Sequence, residues 1–390
     1  MARPTEASLQ SLDSIIRTAS VLLAQLQEVL SDIQKNPHPS GQSEAATASP
    51  PVNALALAHD SASLIRAHGT KISLLIINEP FSANAVSSVL RELLHGPVPA
   101  LALAPQECTA DKYTTAVRRE LASRCRKVLA DLHELLAKIP KNGQSLSSDE
   151  KSGIAAGGRG SIPATGILWS ACDDVIGIAN NGIAHFYAAK LGHWKSLLGD
   201  IMEELKEWAE EDSDEDDEDE DDDGEDYHGD ERGEADDAAQ AMVDELFNSQ
   251  PHIPRLDPDS IRPRLDVTLK RLRLVTLLYD AAIKRRFKTL PAVPLPSSST
   301  TALRLDELAN VLESLPSSFD DLAAAFYDLQ PQAIDDAMEK CFVDALAASE
   351  LLAKTWDDKT DEFSTWLGKF QSEMQGKKLP PKNGSAVSAK

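Results

Sequence analysis

Aromatic residues are scarce in this chain, at 5% of 390 residues, and Ala, Leu and Ile carry most of a 42% apolar content. Strand-rich sandwiches draw on aromatic and β-branched side chains, so this balance argues against a β fold and suits helices packed on helices. The four cysteines, Cys108, Cys125, Cys172 and Cys341, stand singly with no CxxC pair, and residues 1–10 show no secretory signal. A disulfide framework is therefore not expected; buried thiols in a reducing compartment are. No apolar run reaches the ~18 residues that a spanning helix needs, so the expectation is a soluble, intracellular chain without a membrane partner.

Signatures of catalysis are missing as well. No GxxxxGK[ST] loop occurs, and Gly157, Gly158 and Gly160 sit in a Ser/Gly-rich stretch with no strand before them, which excludes a nucleotide fingerprint. The nine histidines include no HExxH, and His185 and His193 are too far apart in sequence to share one helical face as a metal pair. No GxSxG elbow is present, and Cys172 followed by Asp173 and Asp174 makes no triad. The acidic run lacks the alternating ligands and terminal Glu of a calcium loop. No catalytic, cofactor-binding or metal-ligating residue is assigned, and neither an enzyme nor a cofactor is expected.

What the sequence does have is helical periodicity. Leu9, Leu12, Ile16, Ala19, Leu23, Leu26, Leu30 and Ile33 step by three and four between Thr5 and Pro37. A second helix is predicted over 53–77, with Ala54, Leu57, Ala58, Leu64, Ile65, Ile72, Leu75 and Ile76 on its apolar face and Pro80 closing it. A shorter one covers 83–94 and stops at Gly96 and Pro97. Tyr113, Val117, Leu121, Cys125, Val128, Leu132, Leu135 and Ile139 then define a rod of about nine turns over 107–139. Residues 162–208 read as two helices broken near Gly192. After Pro258, Leu265, Leu269, Leu272, Val275, Tyr279 and Ile283 line one face, and helices follow over 306–315, 319–329, 333–356 and 361–374. Ser317 and Asp320 stand at capping-box spacing, and Pro331 suits a first helical turn. Residues 36–51, 142–160 and 291–299 read as loops. No sustained period-two alternation appears, so the fold class is all-α, a bundle of long helices.

The charge is uneven. Residues 210–237 hold 20 of the 63 acidic side chains and one of the 39 basic ones, so the rest carries only five of the 24 net negative charges. A stretch so acidic and so poor in apolar residues cannot offset its ordering entropy and is expected to be disordered. It divides the chain into a helix and loop at 1–51, a helical domain at 52–209, an acidic insert at 210–258, a second helical domain at 259–375 packing on the first, and a tail at 376–390. Ser213 precedes Asp214, Glu215 and Asp216, an acidophilic-kinase context that makes it a candidate phosphosite. Two basic faces are predicted: Arg118, Arg119, Arg124, Arg126 and Lys127, and Lys270, Arg271, Arg273, Lys284, Arg285, Arg286 and Lys288. These read as solvated faces or, alternatively, as surfaces that the acidic insert masks. Without a zipper-linked basic region, zinc module or stacking platform, direct nucleic-acid binding is not expected.

Two short segments resemble a known family. Thr165-Gly166-Ile167-Leu168-Trp169-Ser170-Ala171-Cys172-Asp173 resembles the Trp-x-x-Cys segment of the cyclin-D1-binding protein family, also called GCIP. Ser318-Phe319-Asp320-Asp321-Leu322-Ala323-Ala324-Ala325-Phe326-Tyr327 is similar to that family's Asp-Asp-Leu-Ala…Tyr segment, and the order of helices around an acidic break matches too. The resemblance, over roughly residues 53–374, implies a non-catalytic helical bundle of cytoplasm and nucleus that binds D-type cyclins and helix-loop-helix regulators and acts on cell-cycle progression. Trp169, Cys172, Asp320, Asp321 and Tyr327 match its motifs. Their expected roles are structural: Trp169 and Cys172 in the core, three apart on one face, and Asp320 and Asp321 in a first helical turn, where negative charge is favourable. The alternatives are an acidic histone-chaperone-like binder of basic proteins and a vinculin- or talin-like scaffolding bundle.

Overall fold

A computed structural model describes residues 4–37, 52–153, 160–210, 252–254, 256–296 and 300–376. Most of the acidic run, with Ser213, lies outside the described residues. Twelve α-helices and no strand occur among the described residues, as the periodicity requires. They fall into two compact units, Met1–Ala188 with Phe287–Glu307, and Ala189–Arg286 with Leu308–Lys390. Each unit is thus assembled from segments distant in sequence, and the boundaries do not fall at the acidic run.

In the first unit, α1 (Glu6–Lys35) starts where the Thr5 side chain accepts from the Ser8 amide, a cap worth roughly 1 kcal/mol. Its stripe Leu12, Ala19, Leu23, Leu30 and Ile33 is buried, against α6, α3 and α4. Helix α2 (Ala54–Ile77) starts at Asn53, whose side chain accepts from the amides of Leu55 and Ala56; Leu64, predicted on its apolar face, is 50% exposed. Helix α3 (Ala83–His95) matches its prediction, but Pro97 does not end the helical structure. It opens α4 (Pro97–Glu107), a helix buried through Val98, Leu101 and Ala104. Proline is tolerated there because the first amides of a helix have no intrahelical acceptor to lose.

The predicted nine-turn rod is interrupted. A short turn, α5 (Ala110–Tyr113), precedes α6 (Thr115–Ala137), and Thr114 between them has φ 78°. Such a conformation is strained for a β-branched residue and persists only where its surroundings hold it. Here the Thr114 hydroxyl accepts from the Val117 amide at 3.3 Å and lies 2.7 Å from the Tyr187 hydroxyl. The next two amides, of Thr115 and Ala116, donate to the Asp306 carboxylate at 2.7 and 3.2 Å. Leu295 adds a backbone bond to Lys112 at 2.8 Å. Every member of the predicted stripe from Tyr113 to Ile139 is nevertheless buried, so the face was read correctly and the break was not.

A capped turn, α7 (Ser148–Ser152), leads to α8 (Ser161–Glu210), which breaks at Gly182 (φ 72°, ψ 174°) and not at Gly192. Of these two glycines, only Gly182 adopts a conformation that other residues resist. Among the described helices, α8 has one window apolar enough to cross a membrane by length and composition, which the sequence reading did not expect; 39% of that window is buried.

The second unit takes α8 from residue 189 onward with α9 (Ile261–Arg285), α10 (Thr301–Tyr327) from Leu308, α11 (Pro331–Leu352) and α12 (Glu362–Gln375). Helix α9 buries Leu265, Leu272, Val275, Leu278 and Tyr279 and packs on α11 and α12. The predicted break before residue 319 does not occur: α10 runs through Pro316. Proline cannot donate to the carbonyl four residues back, that of Leu312. That carbonyl instead accepts from the Tyr279 hydroxyl at 2.6 Å, and Tyr279 is fully buried. The helix continues because a neighbouring helix supplies the missing donor. Pro331 stands in the first turn of α11 and Asp361 caps α12 in a box with Ser364.

Candidate functional site

The family-like residues do not converge. Cys172 is fully buried, as expected, but Trp169 is 37% exposed. Its indole N–H donates to Thr70 Oγ1 at 2.9 Å, and the Arg66 guanidinium lies 5.4 Å from its ring centre. Arg66 Nε in turn lies 3.1 Å from the Asp173 carboxylate. Trp169 is therefore a surface residue held rigidly, which corrects the expectation of a core position: one step of three round a helix moved it from the packed side of α8 to its edge against α2. Asp320 and Asp321 are exposed in the middle of α10, because the helix does not restart after Pro316. Asp321 makes only a 3.9 Å surface pair with Lys340, worth little. Tyr327, half-buried at the end of α10, stands edge-on to Trp208 at 5.3 Å. Burial first, and the neighbouring Glu204 second, hold its phenol above the ordinary range.

The thiols are as predicted: all four are free and buried. Burial pushes each up, Cys108, Cys172 and Cys341 to about 12, so none is a nucleophile at neutral pH. Among the described residues no three His, Cys, Asp or Glu side chains are placed to hold a metal. His185 and His193 are exposed, and at Gly160 a Cβ would lie 2.3 Å from the Lys151 carbonyl oxygen, so that glycine serves a close backbone approach.

The two basic faces are only partly faces. Arg118 is 8% exposed, and its Nε has no hydrogen-bond partner among the described residues. Arg286 is fully buried. Its guanidinium holds both oxygens of Asp361 at 2.7 and 3.0 Å, donates to the Leu352 carbonyl at 2.9 Å and lies over Phe363 at 4.7 Å. Trp356 donates back to the Arg286 carbonyl at 2.7 Å. This arginine fastens the end of α9 to α11 and α12. Arg271 lies on the Phe342 ring at 4.4 Å, and Arg124 is spent on Glu120 and the Asp174 carbonyl.

The first unit has a cleft of about 460 Å³ at the α8 break, where Asn53, His59 and Asp60 of α2 face Asn180, Gly182 and Ile183 of α8, with Pro291 and Val293 beside them. His59 Nδ1 lies 2.9 Å from the Asp60 carboxylate, but no Ser, Cys or Lys lines the space, so no acyl-transfer constellation forms there. Between this cleft and Trp169 the α2–α8 seam is bridged by Arg66 with Asp173 and by Thr70 with Trp169, and Leu74 and Ile162 lie exposed beyond Trp169. The seam's residues, Arg66, Thr70, Leu74 and Ile162 among them, were not singled out from sequence. The available signal was apolar side chains out of phase with the buried stripe.

Residues 58–211 match the N-terminal domain of Grap2 and cyclin-D-interacting proteins. An uncharacterized protein of Schizosaccharomyces pombe is 24% identical over 321 residues, 81% of this chain and 82% of that protein. No solved structure matches. The matched segment contains Trp169 and Cys172, whereas the similar stretch at 318–327 lies beyond it. Over residues 58–211, the chain is thus similar to the Grap2 and cyclin-D-interacting family.

Proposed function

We propose that this chain is a non-enzymatic helical adaptor that regulates cell-cycle progression or transcription by binding cyclin-type or helix-loop-helix-type proteins, in cytoplasm and nucleus. The observation that carries the reading is the family match over residues 58–211, whose description names cyclin-D-interacting proteins. The chemistry of the described residues agrees with it: thiols are buried, no Ser, Cys or Lys lines the cleft at Gly182, and the exposed features are an aromatic ring and helix faces of the kind that bind proteins.

The test is a calorimetric titration of the full chain with a purified D-type cyclin and with a helix-loop-helix regulator from the same source. Saturable binding to at least one, micromolar or tighter, is the expected result. No heat from either sinks the reading. A fluorescently tagged chain excluded from the nucleus would remove the compartment assignment.

A further inference from the structure

The seam between α2 and the first half of α8 carries an exposed strip that packing among the described residues leaves unused. The two helices run antiparallel there: Ser73 pairs with Thr165 at 2.9 Å, Thr70 with Trp169 at 2.9 Å, and Arg66 with Asp173 at 3.1 Å. They approach closely because Gly69 makes room; a Cβ on it would lie 2.7 Å from Leu168 Cδ2. At one end Leu74 is 50% exposed and Ile162 54%, beside Trp169. The other end is the cleft of about 460 Å³ at Gly182. From Ile162 to Asn180 the strip spans roughly 27 Å at ~1.5 Å per helical residue.

On α8 the strip repeats as Ile162, Gly166, Trp169, Asp173 and Gly177, the three- and four-residue steps of one helical face. Among the described residues, Gly166 and Gly177 have nothing within 4 Å of where a Cβ would stand. A glycine inside a helix is less favourable than alanine, and packing among the described residues gives no return for either. Bare backbone flanking a fixed aromatic ring lets another backbone come close. Among the described residues there is no strand whose edge a peptide could extend, and a helix laid along the seam would match the strip's three- and four-residue spacing with its own. The ends differ in charge: Asp60, 76% exposed, stands at the cleft, and exposed Lys71 stands near Leu74, with the Arg66–Asp173 pair between them.

We propose that this strip is a docking groove for an amphipathic helix of a partner protein, about five turns long, with its apolar residues over Trp169, Ile162 and Leu74 and a basic residue toward Asp60. This rests on the reading of the chain as a protein-binding adaptor and adds the surface and the chemistry of the partner.

The experiment selects displayed 24-residue peptides against the full chain and measures the winners by fluorescence anisotropy. The variants are Trp169→Ala, Gly166→Glu and Gly177→Lys. The last two place side chains in open space and replace glycine by a better helix former, so thermal melting is expected to hold or rise. Amphipathic peptides with apolar residues at one end and Lys or Arg at the other are expected to win, and to bind each variant at least tenfold more weakly. Winners that ignore all three variants, winners that are extended and proline-rich, or no winners at all would overturn the groove. So would sedimentation showing that Gly166→Glu removes self-association, because a second copy would then be the occupant. A cyclin-type or helix-loop-helix partner that binds wild type and Gly166→Glu equally overturns the groove while leaving the adaptor function standing.

Discussion

Replacing Tyr279 by Phe removes one oxygen from a fully buried side chain and leaves the ring in place. The Leu312 carbonyl, deprived of its intrahelical donor by Pro316, then has no partner for the bond now made at 2.6 Å. A buried acceptor left unsatisfied costs about 1–3 kcal/mol, whereas the packing change is near zero because no cavity larger than a hydroxyl forms. Urea unfolding monitored by circular dichroism is expected to show a loss of about 2 kcal/mol with an unchanged slope. The cause is checked by Pro316→Ala, which restores an amide facing the same carbonyl. In that background Tyr279→Phe is expected to cost at least about 1 kcal/mol less, a coupling of the size seen for residues that share a partner. Equal losses in both backgrounds would show that the orphaned carbonyl does not govern how α10 passes Pro316.

Arg286 is fully buried, so Asp361→Asn strands a guanidinium and is expected to cost about 3–5 kcal/mol in thermal or urea unfolding. Arg286 also holds the Asp361 carboxyl well below the usual carboxylate range; its stabilisation is therefore complete above about pH 4 and falls as the pH drops through the folded value. The gap between wild type and Asp361→Asn should close in acid, and a gap independent of pH would refute the pair. Asp306→Ala is expected to lose about 1–2 kcal/mol, because two amides at the start of α6 lose a charged acceptor; hydrogen exchange at Thr115 and Ala116 that matches wild type would count against it. Ellman's reagent is expected to label no cysteine in the native chain and four after unfolding, since every thiol is buried with its pKa raised.

Helices were legible where local signals agree with packing. Thr5, Asn53 and Asp361 stand at caps before regular apolar stripes, and α1, α2 and α12 begin there. What the sequence hid was settled by distant partners. Pro97 read as a stop, and helices over 306–315 and 319–329 were read as separate; Pro97 lies where a helix needs no donor, and at Pro316 the missing donor is supplied by Tyr279 thirty-odd positions away. Gly182 and Gly192 are alike as letters, and only the conformation at Gly182 departs from the helix. Arg286 lies in a run of cations, and its burial depends on Asp361, which no local pattern reveals. Trp169 misled by spacing: a residue three positions from a buried cysteine can still lie at the rim of the same face. The acidic run was plain from composition, and it lies mostly outside the described residues.

Asp306 and Leu295 belong to the same compact unit as Thr115 and Lys112, although the acidic run separates them in the chain. The ribosome therefore delivers α1 to the first part of α8 about a hundred residues before the carboxylate that caps α6. At ~5–20 residues per second that interval is roughly 5–20 s. Throughout it the nascent unit lacks the carboxylate and the Leu295 backbone bond that help hold the Thr114 turn, and the amides of Thr115 and Ala116 are uncovered. Any fragment cut at residue 211 keeps that condition permanently, so a minimal expression fragment of this half has to include residues 287–307.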